Sequence, residues 1–547
     1  MLTLTGKPVS TGIGIGPLAT YRRAAISTEV RPVEDTEAEL ARFRKAREEA
    51  AGQLGSLYAK ALETVGEKDA AIFEIHRMML EDDEYTEGVE GRIREGLNAE
   101  AAVDQTALEL AAVFRDMEDE YMRGRAADVT DVSRRVVQIL CGAASEDAFV
   151  YEKVILAAGD LSPEEVMHLD AETVLGIVLS AGSATSHTAI LIRNLGIPAV
   201  FGVGQAVCGQ EGKTAVVDAI GGKVFLDPDE ATLTEMRERQ GRWQESQKAL
   251  ERVRGKESVT QDGQKVRIYA NAGHLADLPG VVGSDAEGIG LFRSEFIYLE
   301  SDDYPTEEQQ FAVYKKVLEA MPGKRVIIRT MDIGADKKAD YFALKPEENP
   351  ALGLRAIRLC LTRPELFKTQ LRALCRASAY GKLAVMFPMI ISVEEVRRAR
   401  EMLRKAKLEL LAEGVPVAET IETGIMIETP AAAIISDKLA KEVDFFSIGT
   451  NDLTQYTLAI DRQQTGLDDF FDAHHPALLR LIEMTVRNAH EAGIWAGICG
   501  ELGADLSMTE TFLRMGIDEL SVPAASVLLL RSKVRSLDIG ASGNKEL

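Results

Sequence analysis

The sequence has little of what marks secreted, disulfide-bonded or zinc-binding proteins. Its 547 residues include five cysteines, scattered at positions 141, 208, 360, 375 and 499. An odd number of cysteines without close spacing argues against a disulfide framework and against a zinc site. The N-terminus also lacks a basic stretch followed by an apolar core, so we expect no secretory signal. These absences predict a protein of the reducing cytoplasm.

Long apolar runs are absent too. No stretch approaches the roughly 18–20 consecutive apolar residues that a transmembrane helix requires, and the mean hydropathy is -0.06. Hydrophobic residues nevertheless make up 46% of the chain, which is enough for large packed cores. At about 100–200 residues per domain, the length predicts three or four domains. We therefore expect several folded domains and no membrane insertion.

Positive charge is scarce. The chain has 63 lysines and arginines against 87 aspartates and glutamates, which gives a formal net charge of -24. Such an acidic protein is a poor partner for nucleic acids and for anionic membranes. A basic protein partner suits this charge. An anionic substrate suits it only if arginines are concentrated locally at the site.

Proline is missing between Pro32 and Pro163. Within this region apolar residues recur at the spacing of one helix face, as at Leu40 and Phe43. We therefore predict an all-helical subdomain at residues 22–147. Its acidic residues cluster at positions 63, 67, 69, 74 and 81–84. This cluster fits either a solvated helix face or a docking surface for a basic partner.

The segments on either side of this helical subdomain have a different pattern. A glycine-rich stretch typical of strand and turn precedes it, and short apolar runs typical of buried strands follow it. We assign residues 1–21 and 148–228 to one α/β domain, into which the helical subdomain is inserted. The charged, nearly proline-free segment 229–257 predicts a linking helix that begins after Asp227 or Asp229.

Strand and helix patterns alternate over the remaining residues, 258–540. Eight strand candidates are near-continuous apolar runs, as parallel strands buried on both faces should be. They lie at residues 266–273, 288–294, 325–334, 383–390, 424–430, 444–453, 495–502 and 519–524. Eight strands that alternate with helices predict a (β/α)8 barrel of the TIM type.

Polar residues stand at the carboxyl ends of these predicted strands, where the active sites of such barrels lie. They are Asn271, Arg293, Glu295, Arg329, Asp332, Glu428, Asn451, Asp452, Cys499 and Glu501. A single residue of this kind could belong to a structural ion pair. The convergence of many at one end of the barrel predicts a functional site.

The residue types at this end indicate the chemistry. Arg293, Arg329 and Arg462 can make bidentate contacts with phosphate or carboxylate oxygens. Glu428 and Asp452 are hard oxygen ligands, which suit Mg²⁺ when substrate and water complete the shell. We therefore predict a small, multiply charged phosphate substrate and a magnesium site. Arginines and a metal ion can also stabilise an enolate as it forms.

Cys499 has two interpretations. A thiol with a pKa near ~8.5 is protonated at neutral pH and can donate a proton to a substrate carbon. A small buried core residue explains the same position equally well.

His187 also has two interpretations. It follows an apolar strand that ends at Ser180, and the next helix is predicted to begin near Thr185 or Ser186 and to end at Gly196. A helix N-terminus favours a phosphoryl group, and neutral imidazole is a competent nucleophile. A capping or packed histidine fits the spacing as well.

Several motifs resemble those of the phosphoenolpyruvate-utilising enzymes, and in particular those of the enzyme I family of the bacterial sugar phosphotransferase system. TSHTA around His187 resembles the phosphohistidine motif, and DFFSIGTNDLTQYTLAIDR at 444–462 resembles the family signature. Further similar blocks are IFEIHRMMLEDDEY, GIGLFRSEF, IIRTMDIGADK, NPALGLRAIR, FPMIISVEE, IETPAAA and ICGE. The resemblance covers nearly the whole chain.

The resemblance implies a reaction. His187 would take the phosphoryl group of phosphoenolpyruvate and pass it to a histidine of the phosphocarrier protein HPr, with release of pyruvate, as the first step of sugar uptake. The α/β domain would swivel on hinges near residues 227–260 to serve both partners.

The resemblance also implies roles for single residues. Arg293, Arg329 and Arg462 would bind phosphoenolpyruvate, together with Asn451 and Asp452. Glu428 and Asp452 would hold Mg²⁺, and Cys499 would protonate the enolate. The helical subdomain would bind HPr, with contacts from Glu67, His76 and Glu84. The barrel domain would form a homodimer.

Four positions depart from the family pattern. Ser183 and Ala184 replace the last two residues of a Gly-Gly-Arg turn before His187, Ser294 stands where threonine is common, and Ala335 replaces a second glycine. None of these positions is a proposed catalytic residue.

Five other functions are weighed against this one. Pyruvate phosphate dikinase and phosphoenolpyruvate synthase carry an ATP-binding region for which the chain has no candidate. A regulatory paralogue would have extra sensor domains. A non-catalytic scaffold would not need the full set of polar residues, and a pyruvate lyase on a magnesium barrel would not need His187.

Overall fold

The computed structural model describes the chain except for residues 22, 24–25, 66, 116, 118–119, 143–152, 183–185, 208, 335–339, 346, 462–469 and 541–547. The side chains of residues 63–69, 120–124, 187 and 340 also lie outside the description. The chain divides into two compact units, residues 1–247 and 248–547. No helix among the described residues is both long enough and apolar enough to cross a membrane.

The first unit contains an eight-stranded sheet. Its strands are β1 (Leu2–Thr5), β2 (Lys7–Pro8), β3 (Ile13–Thr20), β4 (Val154–Ala158), β5 (Val174–Leu179), β6 (Ala199–Phe201), β7 (Thr214–Asp218) and β8 (Lys223–Leu226). They are ordered β1-β8-β7-β3-β4-β5-β6-β2. The three central pairs from β3 to β6 are parallel, and the pairs that involve β1, β2, β7 and β8 are antiparallel.

Five helices are inserted between β3 and β4, as predicted from the missing prolines. They are α1 (Thr36–Val65), α2 (Glu67–Glu81), α3 (Asp83–Arg94), α4 (Ala99–Arg115) and α5 (Glu120–Leu140). Their core is built on fully buried side chains such as Phe43 and Phe73. Burial of one such side chain stabilises the fold by about 1.5–3 kcal/mol.

Three more helices belong to or leave this unit. They are α6 (Pro163–Met167), α7 (His187–Leu195) and α8 (Glu230–Glu251), which runs across the division between the two units. The carboxylate of Asp229 accepts from the Thr232 amide at 2.8 Å, so α8 begins with the cap that the sequence predicts.

The second unit is a closed barrel of eight parallel strands, which confirms the predicted (β/α)8 fold. The strands are β9 (Arg267–Ala272), β10 (Gly288–Arg293), β11 (Arg325–Arg329), β12 (Lys382–Phe387), β13 (Glu422–Ile427), β14 (Phe445–Ile448), β15 (Trp495–Ile498) and β16 (Glu519–Pro523). The last strand pairs with the first and closes the ring.

Helices surround this barrel. They are α9 (Leu278–Gly283), α10 (Glu295–Leu299), α11 (Glu307–Glu319), α12 (Ala356–Thr362), α13 (Pro364–Ala377), α14 (Val393–Ala412), α15 (Pro430–Ile434), α16 (Ser436–Leu439), α17 (Thr450–Leu458), α18 (Pro476–Glu491), α19 (Thr509–Met515) and α20 (Val527–Ser536). The interior is packed with Tyr269, Leu291, Met386, Met426 and Phe445. A filled interior leaves the strand ends as the place for a site.

Candidate active site

A cavity of about 940 Å³ opens at the carboxyl ends of the barrel strands. It is lined by the predicted residues Arg293, Glu295, Arg329, Asp332, Glu428, Asn451, Asp452, Cys499 and Glu501. The structure therefore brings these side chains together, although their positions span more than two hundred residues of sequence. Arg462, also predicted here, lies outside the described residues.

Arg329 is the last residue of β11 and is buried. Its Nη2 donates to Glu295 Oε1 at 2.5 Å, and its Nη1 lies 3.1 Å from Asp332 Oδ2. Its Nε is buried without a hydrogen-bond partner among the described residues. Burial lowers the pKa of Arg329, but the carboxylates around it outweigh burial and raise it. A permanently charged, fixed guanidinium with a spare donor suits an anionic substrate.

Arg293 and Arg355 add positive charge to the same cavity. Arg293 ends β10 and is exposed. Arg355 is buried, and its Nη2 donates to Asp332 Oδ1 at 2.8 Å. Sequence analysis missed Arg355, although it lies within the block NPALGLRAIR that resembles the family. The local concentration of arginines is what an acidic protein needs to bind an anionic substrate.

Glu428 follows β13 directly and is 1% exposed. Its Oε1 accepts from the Met389 amide at 2.6 Å. Burial, and then the negative charges of Asp452 and Asp332, raise the pKa of the Glu428 carboxyl well above its usual value, although Arg329 acts in the opposite direction. Carboxylates that disfavour each other's charge in this way are relieved by a bound cation.

Asn451 and Asp452 lie in the first turn of α17, which begins two residues after β14 ends. The Asn451 amide donates to Glu501 Oε1 at 3.0 Å, and its Oδ1 accepts from the Glu501 backbone amide at 3.0 Å. This reciprocal pair fixes the turn that carries Asp452. The loops after β14 and β15 are thereby tied together at the cavity.

Glu428 and Asp452 offer hard oxygen donors to this cavity. Among the described residues, no group of three or more His, Cys, Asp or Glu side chains is arranged to hold a metal ion alone. The buried Glu428 and the nearby Asp452 fit a hard divalent cation whose remaining ligands come from substrate and water.

Cys499 follows β15 and is buried at the same cavity. Its thiol lies 3.7 Å from the Ile448 carbonyl oxygen. Burial raises the pKa of Cys499 to about 12, although the neighbouring Ser447 hydroxyl acts in the opposite direction. The thiol is therefore protonated at neutral pH, as a proton donor must be.

His187 belongs to the first unit, where it is the first residue of α7. Ser186 caps this helix, because its hydroxyl accepts from the Ala189 amide at 3.2 Å, and the helix ends at Gly196 with a φ of +71°. These ends agree with the sequence prediction. The side chain of His187 lies outside the description, as do Ser183 and Ala184.

The three predicted partner-binding residues differ in position. Glu84 is exposed in the first turn of α3. Glu67 begins α2, but its side chain lies outside the description. His76 is 4% exposed, and its Nε2 lies 3.3 Å from Asp128 Oδ1. A side chain so deeply buried does not offer a surface contact, so the expectation of direct contact is corrected for His76.

Three family models match the chain. The PEP-binding domain of PEP-utilising enzymes matches residues 247–539, the N-terminal domain matches 5–125, and the mobile domain matches 150–222. The first of these models alone covers more than half of the chain. The chain belongs to the PEP-utilising enzymes.

Curated relatives match this sequence over nearly its full length. The phosphoenolpyruvate-protein phosphotransferase of Staphylococcus carnosus is 42% identical over 538 residues, which cover 98% of this chain and 94% of that protein. That of Geobacillus stearothermophilus is 42% identical over 538 residues, which cover 98% and 93%. Membership confirms the resemblance of the motifs and the expectation that the protein is an enzyme. The enzymes of this family use a metal ion.

Proposed function

We propose that the protein transfers the phosphoryl group of phosphoenolpyruvate to its own His187 and then to a histidine of HPr, releasing pyruvate. The observation that carries this proposal is the convergence of Arg329, Glu428, Asp452 and Cys499 on one cavity. Their chemistry supplies anion binding, metal ligands and a proton donor. Relatives at 42% identity bear the name phosphoenolpyruvate-protein phosphotransferase, which supports the same activity.

Substrate binding rests on the arginines. Arg329 and Arg355 are fixed by buried carboxylates, so they meet the phosphate and carboxylate of phosphoenolpyruvate without reorganising. Arg293 is exposed at the rim of the cavity and adds a further positive charge. Asn451 and Asp452 contribute polar groups from the turn that faces them. Arg462 completes the set that the family motif implies.

Mg²⁺ is the cation that we assign to Glu428 and Asp452. It supplies positive charge beside the phosphate and enolate oxygens when bound. This assignment follows from the donor set, which is carboxylate oxygen throughout and has no described histidine or thiol arrangement of the kind that zinc prefers.

The first transfer is an in-line displacement. An imidazole nitrogen of His187 attacks phosphorus, an N–P bond forms, and the P–O bond to the enolate breaks. The arginines stabilise the departing enolate. Its terminal carbon then takes the proton of Cys499, which yields pyruvate. Because His187 and the cavity belong to different units, the reaction requires a conformation in which they meet, and we assign the hinge to residues near 227–260.

The second transfer gives the phosphoryl group to HPr. We assign the docking surface to the helical subdomain, where Glu84 is exposed and acidic. Charge complementarity with a basic partner would speed encounter. His76 lies beneath this surface and supports the packing of α2 against α5. We also assign dimer formation to the barrel and expect the protein to act in the cytoplasm, as the first step of sugar uptake.

Phosphoryl transfer to purified HPr, with phosphoenolpyruvate or ATP as the donor, tests this function. We expect phospho-HPr with phosphoenolpyruvate and Mg²⁺ and none with ATP. Transfer only from ATP would contradict the proposal.

A further inference from the structure

The barrel interior contains a buried carboxyl group that has no role in the reaction described above. Glu519, the first residue of β16, is fully buried. Neither of its carboxyl oxygens has a hydrogen-bond partner among the residues that the structure describes. A buried polar group without partners is costly to fold, so this carboxyl calls for a role beyond packing.

Two glycines make room for it. A Cβ at position 497 would lie 2.0 Å from Glu519 Oε2, and a Cβ at position 290 would lie 2.7 Å from Glu519 Oε1. Any larger residue at Gly497 or Gly290 would therefore collide with the carboxyl group. Because both positions are glycine, no side chain occupies the space that the Glu519 carboxyl fills.

The surroundings of the carboxyl disfavour its charged form. Burial raises the pKa of Glu519 well above its usual value, and the neighbouring charge of Asp518 acts in the same direction. Arg267 and Arg325 act against it, but burial prevails. Arg325 is engaged elsewhere, since its Nη2 donates to Glu422 Oε1 at 2.7 Å. The surroundings of Glu519 therefore favour its protonated form.

The Glu519 carboxyl lies on the same strand face of the barrel interior as Cys499. Gly497, over which the carboxyl sits, is two residues before Cys499, so the two positions point to the same face and are about 7 Å apart along the strand. Ser447 is the cross-strand neighbour of Gly497, and its buried hydroxyl has no hydrogen-bond partner among the described residues but acts to lower the pKa of Cys499. The Ser447 hydroxyl is therefore not committed to another described group and is available to relay a proton.

After each turnover, Cys499 must regain the proton that it donated to the substrate. The thiolate left by proton donation is strongly disfavoured in its buried setting, as the raised pKa of Cys499 shows. The mouth of the cavity is occupied by product at that moment. A proton source on the opposite side of Cys499 restores the thiol without passing the product.

We propose that Glu519 re-protonates Cys499 during the phosphoenolpyruvate reaction, and this inference rests on the proposed function. The enolate carbon gains a C–H bond as the Cys499 S–H bond breaks. The Glu519 O–H bond then breaks as the S–H bond re-forms, through the Ser447 hydroxyl. The carboxylate that remains recovers a proton from water. Glu519 acts through Cys499 and does not touch the substrate.

A route to solvent is offered by the amino-terminal end of the barrel. A second cavity of about 590 Å³ opens there, and its lining includes Arg267, Trp495 and Asp518. Arg267 and Asp518 are the charged neighbours of Glu519. Residues that line this second cavity therefore also neighbour the carboxyl, at the end of the barrel remote from the substrate.

The test measures two exchanges in one reaction. The full-length protein is incubated in D₂O with phosphoenolpyruvate, Mg²⁺ and carbon-labelled pyruvate. Carbon exchange between pyruvate and phosphoenolpyruvate needs no net proton, because Cys499 gives and takes the same one. Deuterium appears in the pyruvate methyl group only if Cys499 exchanges its proton with solvent. We expect Glu519→Gln to keep carbon exchange within about twofold and to lower deuterium incorporation about tenfold or more.

Glu422→Gln is the matched control, because Glu422 lies at the same end of the barrel and pairs with Arg325. We expect it to change neither exchange. Unchanged deuterium incorporation in Glu519→Gln would overturn the inference, since Cys499 would then recover its proton from the cavity mouth. Equal loss of both exchanges would show a structural role and overturn it too. Absence of carbon exchange in the unaltered protein would instead refute the proposed function.

Discussion

Arg329 donates to Glu295 across 2.5 Å, and both side chains are buried at the end of the barrel where the strands terminate. This ion pair fixes a guanidinium that faces the cavity. Removing one partner of a buried pair costs about 3–5 kcal/mol, because the other charge is left uncompensated. The main effect of the pair is therefore to fix the position of the Arg329 guanidinium, and its contribution to net stability is secondary.

Arg329→Lys should weaken catalysis sharply. Lysine keeps the charge but loses the planar fork that can hold the Glu295 carboxylate and a substrate oxygen together. We expect kcat/KM for phosphoenolpyruvate to fall about 100-fold. Arg372→Lys, which alters an ion pair with Glu413 on the outside of the barrel, should leave kcat/KM unchanged. Equal effects of the two substitutions would mean that Arg329 only stabilises the fold.

Cys499→Ala should separate binding from proton transfer. The thiol is protonated and lines the cavity, but no charge is lost when it is removed. We expect turnover to fall by about 10²–10⁴ while binding of phosphoenolpyruvate changes little. Cys360→Ala, at a buried thiol on α12, is the control and should affect stability alone. If binding and turnover fell together, Cys499 would have a purely structural role.

Glu428→Gln and Asp452→Asn should each abolish the response to Mg²⁺. A carboxamide keeps the shape of the side chain but removes the charge that a hard cation requires. We expect loss of Mg²⁺-dependent phosphorylation and of thermal stabilisation by Mg²⁺. Glu442→Gln, at an ion pair with Arg397 on the barrel surface, should retain both. Full stabilisation by Mg²⁺ in Glu428→Gln would place the metal elsewhere.

Glu519 should make stability depend on pH. Its pKa is raised in the folded protein, so the folded state binds a proton that the unfolded state releases above its own, ordinary pKa. The folded state therefore loses stability relative to Glu519→Gln as pH rises from the ordinary carboxyl pKa toward the raised pKa of the folded protein, by up to about 1.4 kcal/mol per pH unit. Thermal unfolding of both proteins over this range measures the difference. A difference that does not vary with pH would show that Glu519 is ionised when folded.

Glu84→Lys should impair transfer to HPr and spare the first transfer. Reversal of an exposed charge on α3 repels a basic partner, and it changes no residue of the barrel. We expect HPr phosphorylation to slow about tenfold at low salt, with the difference shrinking as salt screens the charge. Glu245→Lys, an exposed reversal on α8, is the control. Slower phosphorylation of the protein itself by phosphoenolpyruvate would place Glu84 outside a docking surface.

The sequence was most informative where its pattern is local. Continuous apolar runs predicted all eight barrel strands, and polar residues that follow them predicted the cavity that contains Arg329 and Cys499. The missing prolines predicted the helical insertion. The proposed domain boundaries and the roles of the site residues remain predictions.

What the sequence did not indicate depends on contacts between distant segments. Arg355 lies at the end of the long connection between β11 and α12, and only the path of that connection brings it back to Asp332, 23 residues earlier. Glu519 is the first residue of an apolar strand, so the sequence suggests an ordinary polar residue at the end of that strand. Its inward orientation depends on strand register and on the space left by Gly497 and Gly290. His76 resembles a surface residue in its acidic context, but the packing of α2 buries it.

The central claim is that one histidine carries the phosphoryl group. Mass spectrometry of the protein after exposure to phosphoenolpyruvate and Mg²⁺ tests it most directly, with His187→Ala as the comparison. We predict an acid-labile, base-stable phosphoryl group on His187 and none on His187→Ala. A phosphoryl group that persists in His187→Ala, or that appears only when nucleotide is supplied, would contradict the account.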